Sequence, residues 1–149
     1  MQDSRNKLKR QLEILGIILS QDYSGHIRTI DMAEMFRVEE LTIMRDLQQL
    51  RSFGIDIHST KKEGISIEGK ISDEKLREFI QQYSSLCIAP SFVDKSTSLL
   101  VSRLGEKSLA NLVVLQLSIE QNRVVQIDYE KENGMLDFAR EVCPILIFQ

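Results

Sequence analysis

The sequence predicts an α+β fold: three helices and a two-stranded hairpin at the N-terminus, a helical linker, and a C-terminal partial β-sheet. Three observations carry this prediction. Apolar residues recur at helical spacing from Leu8 to Leu50. The period switches to two at Ile55 and returns to helical after Gly69. Alternation then reappears at Val125, followed by an Asn133-Gly134 turn pair.

Each element follows from local spacing. Leu8, Leu12, Leu15 and Leu19 stand at i, i+4, i+7 and i+11 and define one helical face, which Ile14, Ile17 and Ile18 widen. Gln21 to Gly25 supplies turn chemistry. A short helix is expected over Ile30–Phe36 with Thr29 as its N-cap. Arg37-Val38-Glu39 makes a tight connection to a third helix from about Glu40 to Phe53, with Ile43, Leu47 and Leu50 inward and Gly54 just past its end. Ile55, Ile57 and Ser59 alternate with Asp56, His58 and Thr60 as a strand, Lys61 to Gly64 turns, and Ile65-Ser66-Ile67 returns. Three helices and a hairpin in about 70 residues is the order of a winged helix-turn-helix.

Beyond Gly69, Ser72 caps a helix whose inner face is Leu76, Phe79, Ile80 and Tyr83. Ala89-Pro90-Ser91 breaks it. Val93, Thr97, Leu100 and Leu104 mark another helix, ended by Gly105, and Leu109–Ile119 is apolar on several sides. Val125, Ile127 and Tyr129 read as one strand and Leu136 to Val142 as its partner. The terminal Ile145-Leu146-Ile147-Phe148 reads as an apolar sheet edge left open. The expected division is 1–70, 71–107 as a linker and dimerisation region, and 108–149.

Composition narrows the function classes. With 42% hydrophobic and 28% charged residues in 149, the chain supports one ordinary domain or two small ones and excludes disorder along most of its length. Seven Gly and two Pro exclude a collagen-like or linker-rich protein. No apolar run approaches the roughly 20 residues of a membrane span, and the polar first ten residues are unlike a signal peptide. Cys87 and Cys143 are too few for a disulfide scaffold and read as small buried apolar residues, so a cytoplasmic setting is expected. Net charge is −3, with residues 1–70 neutral and the rest carrying the excess, so charge alone predicts no polyanion partner.

A motif supplies what charge does not. Asp31-Met32-Ala33-Glu34 followed by Thr42-Ile43-Met44-Arg45-Asp46-Leu47, with Leu50 and Gly54 beyond, resembles the helix-turn-helix of DeoR-type and WYL-domain bacterial transcription regulators over about residues 5–69. Ser118 to Tyr129 and then Arg140-Glu141-Val142-Cys143-Pro144 is similar to the opening of a WYL domain. The resemblance implies a DNA-binding regulator acting as a homodimer on double-stranded DNA. It also implies a C-terminal effector domain, expected here to be incomplete, whose ligand is unidentified and whose ligand-binding residues fall largely beyond Gln149.

An expected interface follows from docking the third helix in the major groove. With Ile43, Leu47 and Leu50 inside, Leu41, Met44, Arg45 and Gln48 face out. Gln48 suits adenine, Arg45 suits phosphate or guanine, and Leu41 and Met44 suit thymine methyls or sugar, or else a protein surface. Thr29 and Thr42, at helix starts, are candidate phosphate contacts. Lys61 and Lys62 at the wing tip suit a neighbouring groove or backbone, and Arg5, Lys7, Lys9 and Arg10 give the first helix a basic start. Asp46 is expected to be structural. Glu39 departs from the family pattern, which has Ser there, and with Glu40 it sets two negative charges where phosphates would pass. The alternative reading is therefore a winged-helix protein-interaction module. An enzyme is not expected: His26 and His58 are the only histidines, no Cys or carboxylate cluster at metal-ligand spacing accompanies them, and no glycine-rich phosphate loop occurs, so no catalytic residue, metal or cofactor is assigned.

Overall fold

The computed structural model describes residues 2–21, 26–87 and 94–147. The expected turn over 22–25, the break at Ala89-Pro90-Ser91, Val93 and Phe148 lie outside the described residues. Within them the protein is mixed α+β, with six helices and two separate antiparallel two-stranded sheets. The order is α1 (Gln2–Ser20), α2 (Thr29–Phe36), α3 (Glu40–Ser52), β1 (Ile57–Thr60), β2 (Gly64–Ile67), α4 (Asp73–Cys87), α5 (Asp94–Leu104), α6 (Lys107–Glu120), β3 (Val125–Glu130) and β4 (Leu136–Val142). No described helix is long and apolar enough to cross a membrane.

α1 lies at the centre. Its Leu12, Ile14, Leu15 and Ile18 are buried, and they join Met32 of α2, Ile43, Leu47 and Leu50 of α3, Ile57 and Ile65 of the first hairpin, and Leu76, Ile80, Leu109 and Val113 of the later helices in one continuous apolar cluster. Each fully buried side chain of this kind is worth roughly 1.5–3 kcal/mol relative to exposure. Because α1 is long and apolar around more than one stripe, it receives α3 and β2 on one part of its surface and α4 and α6 on another.

Polar stitching sets the first hairpin against the helices. The Gln21 side chain donates to the carbonyls of Ile18 and Ile65, each at 3.3 Å, and accepts the Ile27 N–H. Ile65 N–H donates in turn to the Ile27 carbonyl at 2.8 Å, so the segment before α2 runs along β2. This close approach explains Gly64. Its φ is +82°, and a Cβ there would lie 2.6 Å from the His26 carbonyl oxygen. The hairpin register pairs Ile57 with Ile67 and His58 with Ser66. Arg51 Nε donates to the Ile57 carbonyl at 2.8 Å and ties α3 to β1.

Several expectations are corrected. Thr29 is the first residue of α2, and Arg28 occupies the cap position. There Asp31 accepts the Arg28 N–H at 3.2 Å while also pairing with the Arg28 guanidinium, so the capping carboxylate comes from within the helix. On α5, Thr97 is buried as expected, but Val101 is the buried partner below it and Leu104 is 41% exposed. Cys87 is half-buried, its thiol 3.1 Å from the Tyr83 carbonyl, whereas Cys143 is exposed and not a core residue. Residues 143–147 form no strand: Ile145 and Leu146 point to solvent and Ile147 folds back onto the core. Ser72 does cap α4, its Oγ accepting the Lys75 N–H at 3.2 Å.

β3 and β4 pair from Val125 opposite Val142 to Glu130 opposite Leu136, with an irregularity between Ile127 and Tyr129. Ala139 there adopts φ +51°, and its N–H donates to Asp128 Oδ1 at 2.6 Å, the mark of a bulge held by a side chain. Arg140 donates to the Tyr129 hydroxyl at 2.7 Å and lies over its ring.

Candidate nucleic-acid interface

α3 is positioned by what its inner face buries. Ile43, Leu47 and Leu50 are 0–1% exposed, and between them Asp46 is 1% exposed. Its carboxylate accepts Arg10 Nε at 2.6 Å, Arg10 Nη2 at 3.3 Å and Gln11 Nε2 at 3.1 Å, all from α1. Three charge-assisted hydrogen bonds satisfy the buried charge and clamp the helix at its middle. Removing one partner of such a pair costs about 3–5 kcal/mol, because the other charge remains buried and uncompensated. The ion partner of Asp46 is thus Arg10, distant in sequence, and the adjacent Arg45 is left outward.

The outer face is a stripe at i, i+3, i+4 and i+7. Leu41 and Met44 are 50% and 52% exposed, and Arg45 and Gln48 are exposed beside them. Among the described residues neither the Arg45 nor the Gln48 side chain has a hydrogen bond or ion pair. Thr42 is half-buried, and its N–H is taken by the Glu39 carbonyl at 2.9 Å. Lys61 and Lys62 are exposed in the turn between β1 and β2, an element separate from the stripe.

The expected contact Thr29 and two of the basic residues that open α1 are engaged elsewhere. The Thr29 hydroxyl donates to Glu40 Oε1 at 2.6 Å, so it is engaged by the acid that begins α3. Arg10 belongs to Asp46. Lys9 bridges Glu13 at 3.4 Å and Glu120 at 3.0 Å, joining α1 to the end of α6. Of the basic start to α1, only Arg5 and Lys7 remain outward. Glu39 sits at the cap of α3 with φ −70° and ψ 148°, and its side chain caps nothing. Spacing along the chain gave no sign of the Thr29–Glu40 contact, which forms across eleven residues only because the connection at Arg37 folds back in the left-handed region, φ +54°.

From α1, a second polar group reaches α4 and α6. Glu13, 4% exposed, accepts the Tyr83 hydroxyl at 3.0 Å and faces Lys9. Burial raises its pKa above the ordinary carboxylate value, against the opposing pull of Lys9 and the Tyr83 hydroxyl. Burial pulls the Lys9 ammonium down, but Glu13 and Glu120 together outweigh it and leave the pKa raised. Burial, with Glu13 nearby, pushes the Tyr83 phenol up, and burial pushes the Cys87 thiol up to about 11.

Around His58 the fold gathers two carboxylates, one of which spacing in the chain does not display. Asp56, His58 and Glu68 bring one ligand atom each within 4.8 Å of one another. Asp56, just before β1, and His58 within it turn to the same side, 2.8 Å apart, a placement legible in the alternation. Glu68 arrives twelve residues later through the antiparallel register, which spacing in the chain does not display.

Comparisons with protein-family models, with curated proteins and with solved structures find no match.

Proposed function

We propose that the protein is a DNA-binding transcription regulator in which α1–α3 and the β1–β2 hairpin act as a winged helix-turn-helix, with α3 as recognition helix. It works as a homodimer on double-stranded DNA, under control of its C-terminal segment. The observation that supports this best is the stripe Leu41, Met44, Arg45 and Gln48, presented outward without partners among the described residues on a helix held from behind by Asp46. A helix fixed at its core face and unoccupied on its outer face suits major-groove docking. Gln48 and Arg45 supply the bidentate groups that read adenine and guanine edges, and Lys61 and Lys62 supply backbone charge from the hairpin.

Salt titration of duplex binding tests the reading. Arg45→Ala is expected to weaken binding by about 1–3 kcal/mol if the side chain reads a base. Lys61→Ala with Lys62→Ala is expected to weaken all sequences alike and to flatten the salt slope by about two. Wild-type affinity in both variants would remove α3 and the hairpin from any DNA contact.

A second reading, a protein-interaction module, is favoured by one observation. Glu39 and Glu40 are both exposed at the start of α3, and Glu40 already holds the Thr29 hydroxyl that would otherwise meet a phosphate. That corner, with Leu41 and Met44 beside it, offers an acidic and apolar surface in place of an anion-binding one.

A further inference from the structure

We propose that Asp56, His58 and Glu68 form a binding site for one divalent cation of the Zn2+ class at the open end of the β1–β2 hairpin. The proposal stands apart from DNA binding and draws on none of the residues in the α3 stripe.

The register builds the site. Glu68 N–H donates to the Asp56 carbonyl at 2.9 Å, which places the two residues opposite one another just beyond the Ile57–Ile67 pair. His58 follows Asp56 by two residues, so the pleat turns its side chain to the same face. All three groups then converge: His58 Nε2 lies 2.8 Å from Asp56 Oδ1 and 3.7 Å from Glu68 Oε2. A tetrahedral ion with Zn–N and Zn–O bonds of about 2.0–2.2 Å needs its ligand atoms roughly 3.3 Å apart. The observed separations bracket that value, and rotation about the side-chain bonds covers the difference.

The charges favour a cation as well. Two carboxylates face one imidazole nitrogen, and a neutral imidazole offers a single proton through Nε2, enough for one of them. A divalent ion between the three groups meets both carboxylates at once. The class follows from the ligand atoms. One imidazole nitrogen with two carboxylates suits Zn2+, Co2+ or Ni2+, whereas Mg2+ and Ca2+ prefer shells made of oxygen alone and gain little from the nitrogen. With side chains 51–69% exposed, the remaining positions open to water. Asp56 precedes β1 and Glu68 follows β2, so an ion here cross-links the hairpin at its base.

The full chain titrated with zinc chloride decides the matter. Calorimetry is expected to give one equivalent at this site, and NMR of the imidazoles is expected to show His58 shifting while His26 stays. Melting temperature rises with the ion. His58→Ala, and separately Asp56→Asn with Glu68→Gln, should weaken binding at least about tenfold, as the loss of a ligand costs no less than the loss of a supporting group. Both variants change exposed side chains, so circular dichroism should show them folded. No heat or His58 shift up to about 1 mM Zn2+ would overturn the proposal. So would wild-type affinity in both variants, which would assign the ion to Cys87, Cys143 or His26, or Mg2+ binding as tightly as Zn2+.

Discussion

Glu39 begins α3 without serving it: the backbone is in the extended conformation a cap requires, yet the longer side chain leaves the first amides to solvent. Glu39→Ser is expected to stabilise the protein by up to about 1 kcal/mol, the cap's gain reduced by the lost attraction between a carboxylate and the helix N-terminus. If α3 docks on DNA, the same change tightens duplex binding most at low salt, since a charge facing phosphate has gone. Thermal melts and binding on one sample separate the two effects, and a more stable protein with unaltered affinity favours the protein-interaction reading. Glu13 carries the second prediction at this scale. Its folded pKa stands above the unfolded 4.5, raised first by burial. The stability it contributes is therefore fully present below that value and is lost as pH rises through the folded pKa. Glu13→Gln keeps an acceptor for the Tyr83 hydroxyl and leaves Lys9 its bond to Glu120, so this loss should vanish from the stability–pH profile. Parallel profiles for the two proteins would show that Glu13 is not its source.

At the scale of elements, α1 is the piece on which the others are assembled. Arg10 and Gln11 hold α3, Lys9 reaches α6, Glu13 reaches α4, and Gly16 lets α6 come close. A Cβ at position 16 would lie 2.5 Å from Cγ2 and 2.6 Å from Cβ of Val113, so the helices meet at backbone distance there. Gly16→Ala gains about 1 kcal/mol in helix propensity and meets overpacking of about 1–3 kcal/mol, with net destabilisation expected because Val113 is fully buried and its Cβ cannot swing away. Gly16→Ala with Val113→Ala should be less destabilised than the two single changes added together, and chemical denaturation of the four proteins measures that coupling. Additive losses would mean that α1 and α6 do not meet at this point. The turn at Lys61–Glu63 and the β3–β4 hairpin, by contrast, are held mainly by their own backbone and short-range side-chain bonds.

For the molecule as a whole, apolar surface is unevenly spent. Along the later helices Leu76, Phe79, Ile80, Tyr83, Val101, Leu109, Leu112 and Val113 are all buried within the chain, most of them on α4 and α6 where these meet α1. Six large exposed apolar residues lie on and around β3–β4, Val124, Met135, Leu136, Phe138 at 67%, Ile145 at 85% and Leu146 at 70%, while others, Leu99 and Leu104 of α5 and Leu41 and Met44 of α3 among them, are exposed elsewhere. Exposure of this kind is unusual for a surface meant to remain in water. If the protein is the dimeric regulator proposed, light scattering should show a dimer at micromolar concentration and Phe138→Glu should shift it toward monomer. A wild-type monomer at high micromolar concentration would count against dimerisation.

The elements were legible because helix and strand formation is local. The period-3.6 stripes of α1, α3 and α4, the alternation of β1 and β3, the Gly54 stop and the Asn133-Gly134 turn all appear in neighbouring residues, and the described structure follows them within a residue or two. So does the outward set Leu41, Met44, Arg45 and Gln48, because a helix that buries Ile43, Leu47 and Leu50 has only one opposite side. Tertiary structure alone decided which charges remain available. Arg10 closes on Asp46 across 36 positions, Lys9 on Glu120 across 111, Thr29 on Glu40 across a left-handed turn, and Glu68 joins Asp56 and His58 through strand register. A side chain's chemistry is written in the sequence, but whether it faces solvent, a ligand or an opposite charge depends on partners that only packing brings within 4 Å.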